Sequence, residues 1–371
     1  MNIAFVCFSS SWGGLEMMLV KLAVALKGRG HSITVVAPAG SPIRAYAEQH
    51  GLHSLAVTPR FRYLDFGTAR KIARELRTFQ IDIVVCGLSR DLSSCVLATK
   101  IARRSRLVFF QQMQFGLSKK DLFHRWVYGN LSLWITLTET MKEATARNTT
   151  VSTDNIHVIP FGVDINRFRP RRYKRSRSRK QFNLPEEGPI AAVVGRFDPQ
   201  KGQDVFLRAL PSVLKRVPSL HPILVGEETR GEEGYLRTLQ ELIDTLGLKR
   251  RVRILPFTNE IPVLLSAIDL LVIPSHSETF GYIAIEAMAM KVPVIGTNAG
   301  GLKEIVDDSV TGLLVPPKNA EALAEAMVRL LKDKPLAKRM VEAARLKVEK
   351  RYFFRKNVEE LERVLTSITD E

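Results

Sequence analysis

The stretch Pro189-Ile-Ala-Ala-Val-Val-Gly-Arg-Phe-Asp-Pro-Gln-Lys-Gly202 decides how the chain folds. Its first seven residues form an apolar run of the kind that makes a strand buried on both faces. A loop bearing Gly and Pro follows, and helical periodicity begins near Gln203. A buried strand, a polar loop at its carboxyl end and then a helix make up the unit from which parallel α/β sheets are built.

The same order recurs on either side. Downstream, HPILVG (221–226), RVRILP (251–256), DLLVIPS (269–275) and VPVIGT (292–297) are strand runs separated by helical patterns, and helices dominate from about Asn319. Upstream, the runs are IAFVCF (3–8), ITVVA (33–37), IDIVVCG (81–87), LVFF (107–110) and WITLT (134–138), and HVIPFG (157–162) closes the half. Helices are expected up to about Lys27, at about 68–79 and at about 92–104. Tight hairpin signals are missing, so parallel sheets with helices on both faces are expected. Pro, charge runs and polar residues interrupt the pattern at 163–188. The reading is therefore two doubly wound α/β domains, 1–168 and 189–351, joined by a basic linker at 169–188. Ligands of such sheets bind beyond the carboxyl ends of the strands. Two such domains face to face would place a site in the cleft between them.

Size and composition agree with this. At roughly 100–200 residues per domain, 371 residues make about two domains. The apolar share of 45% and charged share of 25% exclude collagen-like, low-complexity and mainly disordered chains. No apolar run approaches the roughly 18 residues of a membrane span. MNIAFVCFSSSWGG at the start shows no basic leader or signal pattern. Cys7, Cys86 and Cys95 do not make a disulfide framework, so a reducing cytoplasm is the expected compartment. A monomer or weak dimer is expected.

The net charge of +17 is unevenly placed. Residues 1–168 hold 21 basic and 11 acidic side chains, residues 169–180 (RPRRYKRSRSRK) hold eight basic and no acidic ones, and the rest holds 26 basic and 27 acidic. Arg70, Lys71, Arg74 and Arg77, then Arg103, Arg104 and Arg106, then Lys119, Lys120 and Arg125 make up the first-half excess. Charge runs are usually solvated faces, but this asymmetry points to a polyanionic partner: an anionic membrane surface, an acidic glycan or a nucleic acid. A nucleic-acid-binding protein is the competing class. No helix-turn-helix, zinc or aromatic RNA-binding motif supports it, and the balanced second half argues against it.

Four loops at strand ends carry the candidate chemistry. Ser11-Trp-Gly13-Gly14-Leu-Glu16 follows the first strand and opens a helix, where glycines let backbone approach an anion. It is not G-x-G-x-x-G, so a nicotinamide cofactor gains no support. The plain alternative is a tight turn. Gly195-Arg196…Lys201-Gly202 offers two cations that could neutralise a diphosphate without a divalent metal; the alternative is a solvated loop. Ser275-His276-Ser-Glu278-Thr-Phe280-Gly281 opens a helix that carries Glu286. Glu278 would stand at the loop, Phe280 and Gly281 would present backbone N–H groups, and Glu286 sits in an otherwise apolar helix. A carboxylate there needs hydrogen-bond donors, and vicinal ribose hydroxyls would supply them. The alternative is a helix-capping Glu278 and a Glu286 satisfied in the core. Asn298-Ala-Gly300-Gly301-Leu-Lys-Glu304 adds a second Gly-Gly turn.

With these residues in view, the chain resembles glycosyltransferase family 4. Glu278 and Glu286 with seven residues between them, Phe280-Gly281, Gly300-Gly301…Glu304, Gly195-Arg196…Lys201-Gly202, Pro160-Phe-Gly-Val-Asp164…Arg167-Phe168 and Gly13-Gly14-Leu-Glu16 carry the resemblance over nearly the whole chain. It implies the GT-B fold, two Rossmann-like domains across a cleft, with a last helix at about 352–371 crossing back to the first domain. It also implies a nucleotide-diphospho-sugar donor (UDP- or GDP-linked), retention of anomeric configuration and no essential metal or other cofactor. Arg196 and Lys201 would bind the diphosphate, Glu278 the donor sugar, Phe280 and Gly281 the sugar or phosphate through backbone, and Glu286 the ribose. Gly13 and Gly14 would let the first domain close over the phosphates. The acceptor would be a glycan or lipid-linked molecule in the synthesis of lipopolysaccharide or another bacterial surface polysaccharide. The enzyme would then be peripheral to the inner face of the cytoplasmic membrane. Another GT-B activity, such as nucleotide-sugar epimerisation, is the runner-up, and a non-catalytic sugar-nucleotide binder the third reading.

The chain departs from that family at one place. Many members carry a cleft histidine after the strand matching Leu107–Phe110; here the run is Gln111-Gln112-Met113-Gln114. Gln111 or Gln112 could bind the sugar or acceptor instead, and His276 could line the site. His124 lies on an apparent helix and reads as a surface or partly packed histidine.

Overall fold

The strands follow the sequence runs closely: β1 (Asn2–Val6), β2 (Ser32–Ala37), β3 (His53–Ala56), β4 (Ile83–Cys86), β5 (Arg106–Phe110), β6 (Leu133–Thr136) and β7 (Ile156–Val158), then β8 (Ile190–Val194), β9 (His221–Val225), β10 (Arg253–Leu255), β11 (Leu270–Ile273), β12 (Val294–Thr297) and β13 (Leu313–Val315). The computed structural model describes residues 1–61, 63–228 and 234–369. The chain divides into two units. One comprises residues 1–161 together with the chain from Arg355 onward; the other is Gly162–Phe354.

The first unit is a parallel sheet in the order β3-β2-β1-β4-β5-β6-β7. Its central strands are buried along their length, which is why they read as unbroken apolar runs rather than alternating ones. Phe109, Trp134, Phe115 and Tyr128 stack edge-on and in parallel beneath β5 and β6, a packed aromatic core. The sheet reverses direction of growth between β1 and β4. At that switch point Gly87 N–H donates to Val6 O and Phe8 N–H to the Asp91 carboxylate, tying the loops after the two strands together. The last helix, Phe354–Ser367, belongs to this unit beyond its first residue. It buries Val358, Leu361 and Leu365, and its Glu362 bonds Arg29 and His31 at 2.6 Å each.

The second unit is a parallel sheet in the order β10-β9-β8-β11-β12-β13, with its switch point between β8 and β11. Helices Gln203–Arg216 and Ala320–Lys332 cover one face around Phe206, Leu210, Leu323 and Met327, all fully buried.

Three expectations change. The short strands β3 and β13 were not anticipated; each is an edge strand of four or three residues that pairs with one neighbour only. The boundary expected at 168 falls at Phe161 instead. Residues 169–188 are not a linker but the first part of the second unit, carrying the helix Arg175–Gln181. Arg179 explains this: its guanidinium is 1% exposed and donates to Ala267, Pro185, Glu186 and Gly188 carbonyls and to Asp269. A basic run that looked solvated thus contains a buried hub that stitches the segment to β11.

Candidate functional site

The switch point of the second unit gathers three of the predicted loops. Lys201 closes a short turn whose Asp198 carboxylate accepts from Gln200 N–H. Gly202 then takes φ +67°, and a Cβ on it would lie 2.1 Å from Pro274 O. Only glycine fits that approach, which brings the loop after β8 against the loop after β11. His276 N–H donates to Gln200 O across the same seam. The loop after β12 packs on from the other side: Gly301 N–H donates to Glu278 O at 2.7 Å, and Gly300 has φ +62° with no room for a side chain against that carbonyl.

This packing fixes Lys201 Nζ 2.7 Å from Glu278 Oε2, with both side chains less than a third exposed. Ser275 Oγ donates to the same carboxylate oxygen at 3.2 Å, and Thr297 Oγ1 holds Ser275 O at 2.7 Å. Ser275 and Thr297 were not singled out from sequence; Ser275 three residues before Glu278 was the available signal. Arg196 is exposed on the same loop as Lys201, with no ion pair among the described residues, and its carbonyl accepts from Gln203 Nε2. A Cβ at Gly195 would meet no atom within 4 Å. Phe280 is a core plug, 6.0 Å edge-on to Tyr352, so only its backbone can face a ligand. Gly281 caps the helix Tyr282–Ala289, which carries Glu286, 7% exposed. Burial first, and the Glu286 carboxylate second, push the Tyr282 phenol far above its ordinary range. His276 Nδ1 is buried without a partner among the described residues.

In the first unit, Gly13 and Gly14 lie after β1 as expected. Glu16 is buried, accepting from Gly13 N–H at 3.0 Å and from Ser9 Oγ at 2.6 Å, so this acid shapes the loop rather than facing solvent. A side chain at Gly14 would meet nothing within 4 Å. The neighbouring thiol is no nucleophile: burial pushes Cys7 up to about 12.

The two glutamines after β5 separate. Gln111 Oε1 accepts from Trp134 Nε1 and Thr145 Oγ1, both at 2.8 Å, and its Nε2 donates to Met113 O. Its amide is engaged within the core by these three bonds. Gln112 is 6% exposed, and neither amide atom has a partner among the described residues. His124 is on the helix Leu122–Tyr128, its Nδ1 2.5 Å from Asp121 Oδ2. Among the described residues no cluster of His, Cys, Asp and Glu suited to a metal occurs, and no helix is long and apolar enough to cross a membrane.

Comparison with known proteins matches each unit separately. Residues 12–167 match the model of Glycosyltransferase Family 4, and residues 174–347 that of Glycosyl transferases group 1. A D-inositol 3-phosphate glycosyltransferase of Saccharomonospora viridis is 36% identical over 183 residues, 48% of this chain and 42% of the relative. One from Nocardia farcinica is 38% identical over 191 residues, 50% of this chain and 42% of the relative. The chain thus spans less than half the length of these curated relatives. Among solved structures, Anabaena Alr3699/HepE in complex with UDP and glucose superposes with a TM-score of 0.86 at 25% identity, covering 99% of this chain and 100% of that one. A glycosyltransferase from Rickettsia africae gives 0.89 at 24% identity, covering 99% and 98%.

Proposed function

Since the chain belongs to the glycosyltransferases of the GT-B class, a family 4 domain followed by a group 1 domain, we propose that it transfers a sugar from a nucleotide-diphospho-sugar to a glycan or lipid-linked acceptor with retention of configuration. The observation that carries this reading is the Lys201–Glu278 pair at the switch point of the second unit, with Arg196 on the same loop as Lys201. Arg196 and Lys201 bind the diphosphate, and a sugar hydroxyl donates to Glu278. Glu286 takes the ribose hydroxyls. The complexes of Anabaena Alr3699/HepE with UDP and with UDP-glucose favour a uridine donor.

The acceptor oxygen attacks the anomeric carbon on the face from which the diphosphate leaves. The bond between that carbon and the phosphate oxygen breaks, and the acceptor proton passes to the departing oxygen. Negative charge grows on the diphosphate, where fixed cations and N–H dipoles stabilise it without reorganising, and no metal is needed. Gln112 holds the place after β5 as a hydrogen-bonding group and moves no proton. The basic first half places the enzyme on an anionic membrane surface during surface-polysaccharide synthesis.

A thermal-shift panel of nucleoside diphosphates and their sugars, with and without EDTA, tests the donor site. A ligand at one hundred times its Kd adds about 2.7 kcal/mol of stability. UDP or another diphosphate should stabilise the wild type despite EDTA, and Glu286→Ala should lose the shift. A shift that needs metal, or one that ignores Glu286, overturns the assignment.

A further inference from the structure

A groove of about 540 Å³ runs along the open edge of the second unit's sheet, between β13 and the helix Ala320–Lys332. That volume is within the roughly 300–1,000 Å³ that small-molecule sites enclose. The groove lies far from Lys201 and Glu278. Arg216, on its wall, is the last residue of the helix Gln203–Arg216. That helix starts beside Lys201 and, at roughly 1.5 Å per residue, carries the chain about 20 Å away. Asp308 and Ser309, also on the wall, lead into β13. The groove is therefore at the amino ends of the strands, whereas the loops of Lys201 and Glu278 stand at the carboxyl ends.

The carboxylates of the groove are spent on partners of their own. Asp308 Oδ1 accepts from Leu314 N–H at 2.8 Å, and Asp333 Oδ1 from Leu336 N–H at 2.9 Å. Glu325 is held by both terminal nitrogens of Arg216. Arg329 and Lys332 have no ion pair or side-chain hydrogen bond among the described residues. They stand three positions apart on one face of the helix, and both are exposed. The last turn of a helix favours cations for its own dipole, but the groove adds two features that the dipole does not require. Leu313, Leu314 and Ala326 give it an apolar floor. Val315 O is taken by Asn298 N–H on the β12 side, so Leu314, one residue earlier, turns its backbone to the open edge. With Leu314 N–H on Asp308, Leu314 O is the acceptor left at that edge. The capped N–H also bars an added β-strand, which needs both groups of Leu314.

We propose that this groove binds a small organic phosphate that carries a hydroxyl group, with the phosphate on Arg329 and Lys332, the hydroxyl donating to Leu314 O, and the carbon skeleton against Leu314 and Ala326. An anion with a donor of its own matches what the groove offers, two cations and one carbonyl. The inference does not rest on the proposed function. Calorimetric titration of the full chain tests it, with ribose 5-phosphate as the probe and inorganic phosphate as the bare anion. Ribose 5-phosphate should bind at one site, more tightly than inorganic phosphate, and excess UDP should not displace it. Arg329→Gln with Lys332→Gln, both at exposed positions, should weaken the affinity at least about tenfold with an unchanged urea midpoint, through the loss of charge-assisted hydrogen bonds. Lys201→Ala should bind ribose 5-phosphate as the wild type does. No binding by the wild type, or equal binding by the double variant, overturns the proposal. Displacement by UDP together with loss in Lys201→Ala assigns the phosphate to the loops after β8 and β11 and overturns it as well. Inorganic phosphate binding as tightly as ribose 5-phosphate reduces the groove to an unspecific anion contact and overturns the organic ligand. Absence of any UDP thermal shift would remove the donor reading and leave the result for the double variant standing.

Discussion

Lys201 Nζ stands 2.7 Å from Glu278 Oε2, so the cation of one strand-end loop and the acid of another neutralise each other. On the proposed reading, a diphosphate arriving at Lys201 would compete with Glu278 for the ammonium, and a sugar hydroxyl would replace Lys201 at the carboxylate. The pair is a preset arrangement of the two charges the proposed transfer uses. Partly exposed ion pairs contribute only about 0–1 kcal/mol, so Lys201→Ala should barely move the urea midpoint. It should lower kcat by on the order of 100- to 1000-fold, as loss of one stabiliser of developing charge does. Normal turnover in Lys201→Ala would dismiss Lys201 from the chemistry.

Gly202 makes the seam between those loops possible. Its φ of +67° and the 2.1 Å approach of a hypothetical Cβ to Pro274 O leave no room for alanine. Gly202→Ala should destabilise the protein by more than about 1 kcal/mol, through both strain and displacement of the loop. Because Lys201 is the preceding residue, activity should fall further than the loss of folded protein accounts for. Urea unfolding alongside kcat measures the two effects separately.

These loops were legible in the sequence for a physical reason. A buried parallel strand announces itself as an apolar run, and the Gly, Lys and Glu that end it stand out against that run. Features that depend on distant partners were not legible. β3 and β13 are short edges completed by one neighbour each. Arg179 reads as one more surface cation until the carbonyls of 185–188 and 267 enclose it. Gln111 and Gln112 are adjacent and chemically identical, and only Trp134 and Thr145, more than twenty residues away, distinguish them.

That distinction has opposite consequences for the two glutamines. Gln111→Ala would leave Trp134 Nε1 and Thr145 Oγ1 buried and unpaired, a loss of about 2 kcal/mol or more. Gln112→Leu removes an amide that has no partner and should leave stability unchanged or raise it by about 1 kcal/mol. If Gln112 binds sugar or acceptor, the same substitution should cut kcat/KM about tenfold or more. Thermal unfolding ranks the stabilities. Full activity in Gln112→Leu would remove that residue from the site.

The switch point of the first unit should give the fold a pH dependence of its own. Asp91 is buried beside the loop after β1, and burial raises its carboxyl from an ordinary 3.8 to about 6, against the opposing pull of Phe8 N–H and Arg90. The native state therefore holds a proton that the unfolded chain has released between pH about 4 and 6, and stability falls as pH rises through that window. Asp65 acts in the other direction and lower down. Burial alone would raise it, but the N–H groups of Thr68, Phe61 and Arg60 bring it to about 2, so its contribution is lost only as pH falls from about 4 toward 2. The two windows do not overlap. Asp91→Asn can still accept from Phe8 N–H and carries no charge, so from pH 4 to 6 its unfolding free energy should lack the decline that Asp91 gives the wild type. A parallel decline in both proteins would show that Asp91 is not the titrating group.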